Sequence, residues 1–418
     1  MSLRQRLRFL QRAVSATTVP DTPWPPAAGS ALLLSCHDVD RSMRDSAGLR
    51  FSPLLEGVRQ LAAGPSTPVH NLSHPWAVVR GREVQGGAIT LNRRLIGLRL
   101  RALAGWRASA RLAHEAALYA RLLQALRPTF VFSIQPPAAL CVAARQLGVP
   151  LAEAMHGTTI SLSDPNFGAE MARPDAVQPP IILSFDDVTH ATVSTLVRGR
   201  DIRALRAADP WLLACRQQRG RSGALPGRRD RRALLTMQWG YDGERDALTG
   251  VVPDGVLHPS LERAITDGGR HGWTFLIRMH PIQMNAHGYR HHRRRIQALA
   301  ARHAHVEFEQ ATAWPLPLLL DEVAAHITMS SSAVGEAATA GVRSLALCPT
   351  LHPGGAHYGL FRELESEELV QFGTLEPAAI QRWLDACRPP PLREAVDEAS
   401  AFKREATFYA SLLAGAAR

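Results

Sequence analysis

The run FLIRMHP at 275–281 reads as a strand that empties into Arg278, His280 and Pro281. Open α/β sheets take their ligands beyond the carboxyl ends of the strands. A histidine there can donate to a phosphate oxygen, and the proline behind it restricts the backbone direction. A second run, HITMSSSAVGEAATAG at 326–341, carries a strand into Ser330, Ser331 and Ser332 and then into a helix of small residues. Hydroxyls at a helix start stand beside unpaired backbone N–H groups and the positive end of the helix dipole, a setting that suits anions. Glu336, further into that helix, is placed to accept hydrogen bonds from ribose hydroxyls. Each run has a plain alternative, a capped strand with a surface histidine and a helix capped by one serine. Together they favour a phosphate site.

A His-Pro element followed by a serine cluster, a glutamate and a glycine resembles the donor-nucleotide half of GT-B glycosyltransferases. It is similar in particular to bacterial families with cytidine-nucleotide donors: sialyltransferases, capsule Kdo transferases and CDP-glycerol polyol-phosphate transferases. The resemblance covers the C-terminal half well and the N-terminal half in outline. It implies two Rossmann-like doubly wound domains facing a cleft, with His280, Ser330, Ser331 and Ser332 holding the donor phosphate. It also implies an inverting transfer.

The run PLAEAMHGTT at 150–159 is a strand that empties into His156, Gly157 and Thr158. Glycine lets the backbone turn tightly or approach a ligand, and an imidazole serves as a base near neutral pH. The segment is similar to the His-Gly-Thr segment of the CDP-glycerol transferases, which implies that His156 takes the acceptor proton. A donor contact and a structural role stay open. Sialyltransferases carry an acidic pair followed by glycine, and the first domain holds no clear copy of it. Asp38 and Asp40, after the first strand, are the substitute candidates for the base.

Three further segments carry chemistry. In LLTMQWGYDGE at 234–244, Gly240 and Gly243 let backbone amides approach a phosphate, and Trp239 or Tyr241 can stack on a base or sugar. In PTLHPGGAHY at 349–358, Gly354 and Gly355 cradle the donor while His352 or His357 touches sugar, or the segment is a plain glycine loop. Asp186 and Asp187 follow a strand and open a helix, where acidic caps are expected, so they read as a cap before a metal pair. His287, His291 and His292 lie among Arg290, Arg293, Arg294 and Arg295 and read as solvated basic surface before a zinc site. Neither a metal nor another cofactor is expected; phosphate charge is to be met by protein donors.

These residues need scaffolds. At 418 residues the chain exceeds what one core supports. Short apolar strands at 31–35, 68–72, 129–134, 150–155 and 181–185, with a helix at 138–147, give a βαβ pattern. A second series has strands at 233–238, 274–279, 306–309, 325–329 and 344–347, with helices near 259–267, 333–340 and 377–386. The expected division is an acceptor-side domain at 1–216, an Arg- and Gly-rich linker at 217–232 and a donor-nucleotide domain at 233–390. A last helix at 391–418 is expected to cross back to the first domain. Leucines at helical spacing with interleaved arginines at 92–126 suit either an anionic membrane surface or a core-facing helix with arginine in water.

The formal net charge is +11, and of the 48 basic residues only Lys403 is a lysine. That balance suits anionic partners: a nucleotide-sugar donor, an acidic glycan or glycolipid acceptor, or a phospholipid surface. Nucleic acid is not expected, because the arginines are scattered and no binding motif stands out. Five separated cysteines give neither a disulfide framework nor a zinc spacing. No apolar run has signal-peptide or membrane-spanning length, so a cytoplasmic protein, peripheral on the inner membrane face at most, is expected. The expected activity is transfer of a sugar, with a CMP-sugar favoured, to a glycan or glycolipid in surface-polysaccharide synthesis. The alternatives are a CDP-glycerol-type polyol-phosphate transferase, a non-hydrolysing UDP-sugar 2-epimerase and a non-catalytic glycan-binding assembly protein.

Overall fold

The computed structural model describes residues 20–25, 31–36, 43–44, 48–64, 67–73, 87–103, 108–155, 157–217, 225–241, 248–285, 289–391 and 395–416. The chain divides into two compact units. The first holds Met1–His156, Asn166–Ala214 and Ser400–Arg418, and the second Gly157–Pro165 and Cys215–Ala399. Both are doubly wound α/β, as the GT-B expectation requires.

In the first unit the strands are β1 (Leu32–Cys36), β2 (Met43–Arg44), β3 (Arg50–Phe51), β4 (Val69–Ser73), β5 (Ile89–Thr90), β6 (Phe130–Ser133), β7 (Leu151–Ala154), β8 (Ile181–Ser184) and β9 (Arg203–Arg206). Seven form one sheet in the order β5-β4-β1-β6-β7-β8-β9, and β2 and β3 make a separate antiparallel ribbon. Every pair in the large sheet is parallel. Parallel strands are covered on both faces, and β1, β6 and β8 are accordingly buried along their whole length. One face packs Leu33, Val131 and Leu151 against Leu95, Leu118 and Leu122. The other packs Leu34, Phe132 and Leu183 with Tyr409 of the last helix, Ala395–Ala416. The Tyr409 and Phe132 rings lie 5.8 Å apart, so aromatic burial returns the C-terminal helix to the first sheet.

The second unit holds β10 (Arg232–Thr236), β11 (Thr274–Arg278), β12 (Val306–Glu307), β13 (Ala325–Thr328), β14 (Ser344–Ala346) and β15 (Val370–Phe372). Their order is β12-β11-β10-β13-β14-β15, all parallel. The strand order reverses between β10 and β13, the switch point at which such sheets take ligands. His326 sits in the middle of β13, wholly buried, with Nε2 2.8 Å from Thr236 Oγ1 and Nδ1 2.8 Å from Ser344 Oγ. It pins three neighbouring strands, and burial pushes its imidazole down to about 3.

Four expectations change. The helical stretch 92–126 is two helices, Asn92–Leu103 and Ala108–Leu126, whose buried leucines are committed to the first core. The later part of the linker is packed: Arg232 donates to the carbonyls of Leu225, Pro226 and Gly227 and holds them against the second sheet. Gly157–Pro165, placed by sequence in the first domain, groups with the second unit, because Thr158 and Ser163 bond to its loops. The strands β5, β9 and β15 were not anticipated, since two or three residues, or arginines at both ends of β9, give no apolar run. Among the described residues no helix is long and apolar enough to cross a membrane.

Candidate functional site

The carboxyl edge of the second sheet gathers most of the anticipated residues. Beyond β10 the chain reaches Gln238, Trp239 and Gly240; Gly240 has φ 102, a conformation that favours glycine. Beyond β11 come Met279 and His280. Beyond β13 come Ser330, Ser331 and Ser332, and beyond β14 the loop with Gly354, Gly355 and His357.

A hydrogen-bond network ties three of these loops together. Gln238 Oε1 accepts from Ser330 N at 3.1 Å and from Ser330 Oγ at 2.7 Å, spanning the switch point. Gln283 is buried; its Oε1 accepts from His280 N at 3.0 Å, and its Nε2 donates to the Gln238 carbonyl at 3.3 Å. The same Nε2 lies 3.0 Å from Nδ1 of the buried His292. Neither glutamine nor the role of His292 was read from sequence. The signal that existed was position alone, a polar side chain immediately past a strand end.

His280 opens the short helix Pro281–Asn285, and its Nδ1 accepts from Ile282 N at 3.2 Å. That bond places the proton of the neutral ring on Nε2, which makes Nε2–H a donor. The Trp239 ring lies 6.4 Å from the imidazole. His280 thus caps a helix and belongs to the network at once.

The serines divide their work. Ser331 Oγ accepts from Ala333 N at 3.3 Å, whereas Ser332, the N-cap of Ala333–Thr339, makes no side-chain cap bond. That helix has seven residues, so its dipole is small. The Ser332 carbonyl accepts from Thr158 Oγ1 at 3.1 Å. Gly335 lets this happen, since a Cβ there would collide with Thr158 Oγ1.

Arg278 is not at the surface of the site. Its buried Nη1 donates to the carbonyls of Ala311, Thr312 and Trp314, fastening the end of β11 to the neighbouring turn. Loss of water lowers its guanidinium to about 10, opposed by the charge of Glu336. Arg278 therefore meets Glu336 electrostatically. In the next loop His357 Nδ1 lies 2.9 Å from Thr350 Oγ1, and Gly355 packs on the Thr350 carbonyl.

Asp186 Oδ1 accepts from Thr189 N at 2.8 Å, the cap expected of it, and Asp187 pairs with Arg206 at 2.8 Å. His291 and His292 stack edge to face at 4.3 Å. Among the described residues no group of three His, Cys, Asp or Glu stands ready to hold a metal ion. All five cysteines are buried thiols. His156, Asp38, Asp40, Gly243 and His287 lie outside the described residues.

No protein-family model matches the chain, and no curated protein matches it. Solved structures similar to it include UDP-GlcNAc 2-epimerase from Methanocaldococcus jannaschii, at 9% identity and TM-score 0.49, covering 90% of this chain and 99% of that one. UDP-N-acetylglucosamine 2-epimerase from Rickettsia bellii aligns at 8% identity and TM-score 0.49, covering 93% and 96%. MurG from Acinetobacter baumannii aligns at 11% identity and TM-score 0.44, covering 91% and 95%. Likeness this distant assigns neither family nor activity.

Proposed function

We propose that the second unit binds the nucleotide of an activated sugar at the carboxyl edge of its sheet, and that the chain transfers the sugar to a glycan or glycolipid acceptor. The observation that carries this reading is the Gln238–Ser330 bond across the switch point, with His280 tied into the same network through Gln283. In this reading His280 Nε2–H and the hydroxyls of Ser331 and Ser332 meet the phosphate. Trp239 flanks the base or sugar, Glu336 accepts from ribose, and Gly354, Gly355 and His357 border the sugar. A CMP-sugar is the favoured donor, and surface-polysaccharide synthesis the favoured setting.

His156 is the proposed base for the acceptor hydroxyl. Support comes from the run His156, Gly157 and Thr158, which is similar to the His-Gly-Thr segment of the CDP-glycerol transferases. Preorganised donors around the departing phosphate take the part that a divalent metal plays elsewhere, so EDTA should leave turnover intact. A strict need for magnesium or manganese would overturn that part and bring Asp186 and Asp187 back.

A thermal-shift series with CMP, CDP, UDP and GDP tests the reading, because a ligand of the folded state raises its apparent stability. His280→Ala should lose about 1–3 kcal/mol of the binding, the usual range for a hydrogen bond to a charged group. If no nucleotide stabilises the wild-type protein, the reading fails. The second reading is a nucleotide-sugar 2-epimerase. It is favoured by Glu153, on β7, whose carboxyl is pushed up to about 8 and so both holds and yields a proton near neutrality. Incubation with donor alone separates the two, since an epimerase interconverts sugars without an acceptor.

A further inference from the structure

One lateral row of the first sheet breaks its apolar pattern. Leu33 pairs with Val131 and Val131 with Leu151, and all three are wholly buried in one apolar layer. Side chains alternate across a strand. Two residues nearer the carboxyl ends, the same face therefore carries Ser35, Ser133 and Glu153, again direct partners across β1, β6 and β7. The row includes β1 and β6, between which the strand order of this sheet reverses. That is where a doubly wound sheet takes a ligand.

Two members of the row are poised in ways that core packing does not require. Ser133 is wholly buried, and its Oγ has no hydrogen-bond partner. Buried hydroxyls are nearly always bonded, so an orphan asks for a partner. Glu153 keeps partial exposure. Its carboxyl is pushed up chiefly by loss of water and then by the charge of Glu170, against Arg173 and a hydrogen bond from the Gln135 backbone. Gln135 has φ 46, uncommon for a residue with a side chain. Cys141 is a further titratable neighbour among the described residues, a buried thiol itself pushed up to about 12. Arg173 is paired with Glu170 at 2.6 Å.

We propose that Ser35, Ser133 and Glu153 form a binding row for the hydroxyls of a neutral pyranose at the carboxyl edge of the first sheet. The proposal rests on the reading that this chain handles sugars, and it adds a site in the other unit from the nucleotide network. A carboxylic acid that keeps its proton donates through O–H and accepts through its carbonyl, and serine hydroxyls do both. Sugar hydroxyls have the same double character. An anion would meet the carboxylate of Glu170, and the Arg173 guanidinium beside it is already spent on that pair.

Ser133→Ala is the discriminating variant, because removing an unpartnered hydroxyl leaves the fold intact. The full-length chain, carrying 13C at the glutamate carboxyls, is titrated with methyl glucoside, methyl galactoside and N-acetylglucosamine. The Glu153 resonance is assigned by its loss in Glu153→Gln. At least one sugar should move that resonance saturably in the wild type, with affinity at least tenfold weaker in Ser133→Ala. Wild-type affinity should fall as Glu153 ionises between about pH 7 and about pH 9, whereas Glu153→Gln, followed by the side-chain amide that the substitution introduces, should show no such fall. The inference is overturned if no sugar moves the resonance, or if Ser133→Ala binds as tightly as the wild type. Nucleotide binding is measured in parallel with UDP and CMP, so its absence would sink the proposed function while leaving this measurement standing.

Discussion

A single acceptor atom, Oε1 of Gln238, takes two hydrogen bonds from Ser330, one from the backbone N–H at 3.1 Å and one from the hydroxyl at 2.7 Å. The loop after β10 and the turn after β13 are thereby locked to each other where the strand order reverses. A carboxylate accepts the same two bonds, so Gln238→Glu should fold with its melting temperature nearly unchanged. It also sets a negative charge where phosphate is proposed to lie, and nucleotide affinity should fall tenfold or more. Calorimetric titration with CMP and UDP checks this, and an affinity equal to wild type would remove the phosphate from this edge.

His156→Ala should keep nucleotide affinity and lose about 10²–10⁴-fold in turnover, the usual share of a positioned general base. Both quantities need measuring on one folded preparation. Turnover within about threefold of wild type, well short of that range, would shift the role to Asp38 or Asp40. A collapse in affinity would assign His156 to the donor instead.

His326 gives stability a defined acid limb. The fold holds its imidazole neutral down to about 3, below the ordinary 6.5, so the unfolded chain binds more protons across that interval. The contribution is whole above about pH 6.5 and drains as pH falls, at up to about 1.4 kcal/mol per unit. His326→Gln keeps an amide donor and acceptor between Thr236 and Ser344 and should flatten this limb in denaturant titrations at pH 7 and pH 4.5. An unaltered slope would mean that other groups govern acid unfolding.

Gly335→Ala adds a Cβ that collides with Thr158 Oγ1 and lies 2.8 Å from Thr159 Cγ2. Overpacking of this kind costs about 1–3 kcal/mol, and here it should act by lifting Thr158 off the Ser332 carbonyl. The double change with Thr158→Gly should recover part of the loss. Strict additivity of the two changes would show that the contact is not where the strain falls.

The run of elements was legible because parallel sheets buried on both faces demand short, nearly continuous apolar strands. Leu32–Cys36, Phe130–Ser133, Thr274–Arg278 and Ala325–Thr328 announce themselves in that way, and the Asp186 cap follows from its chemistry alone. The places of His280 and Ser330 just past the strand ends could likewise be read from sequence. What they bond to was not legible. Gln238 lies 92 residues from the Ser330 that donates to it and 45 from Gln283, and no local spacing encodes a meeting across a switch point. Arg278 shows the reverse case: its type and place suggested a phosphate contact, but the turn ending at Trp314 brings three carbonyls to its guanidinium. The Ser35–Ser133–Glu153 row belongs wholly to the tertiary structure, because only strand register sets three residues so distant in sequence side by side.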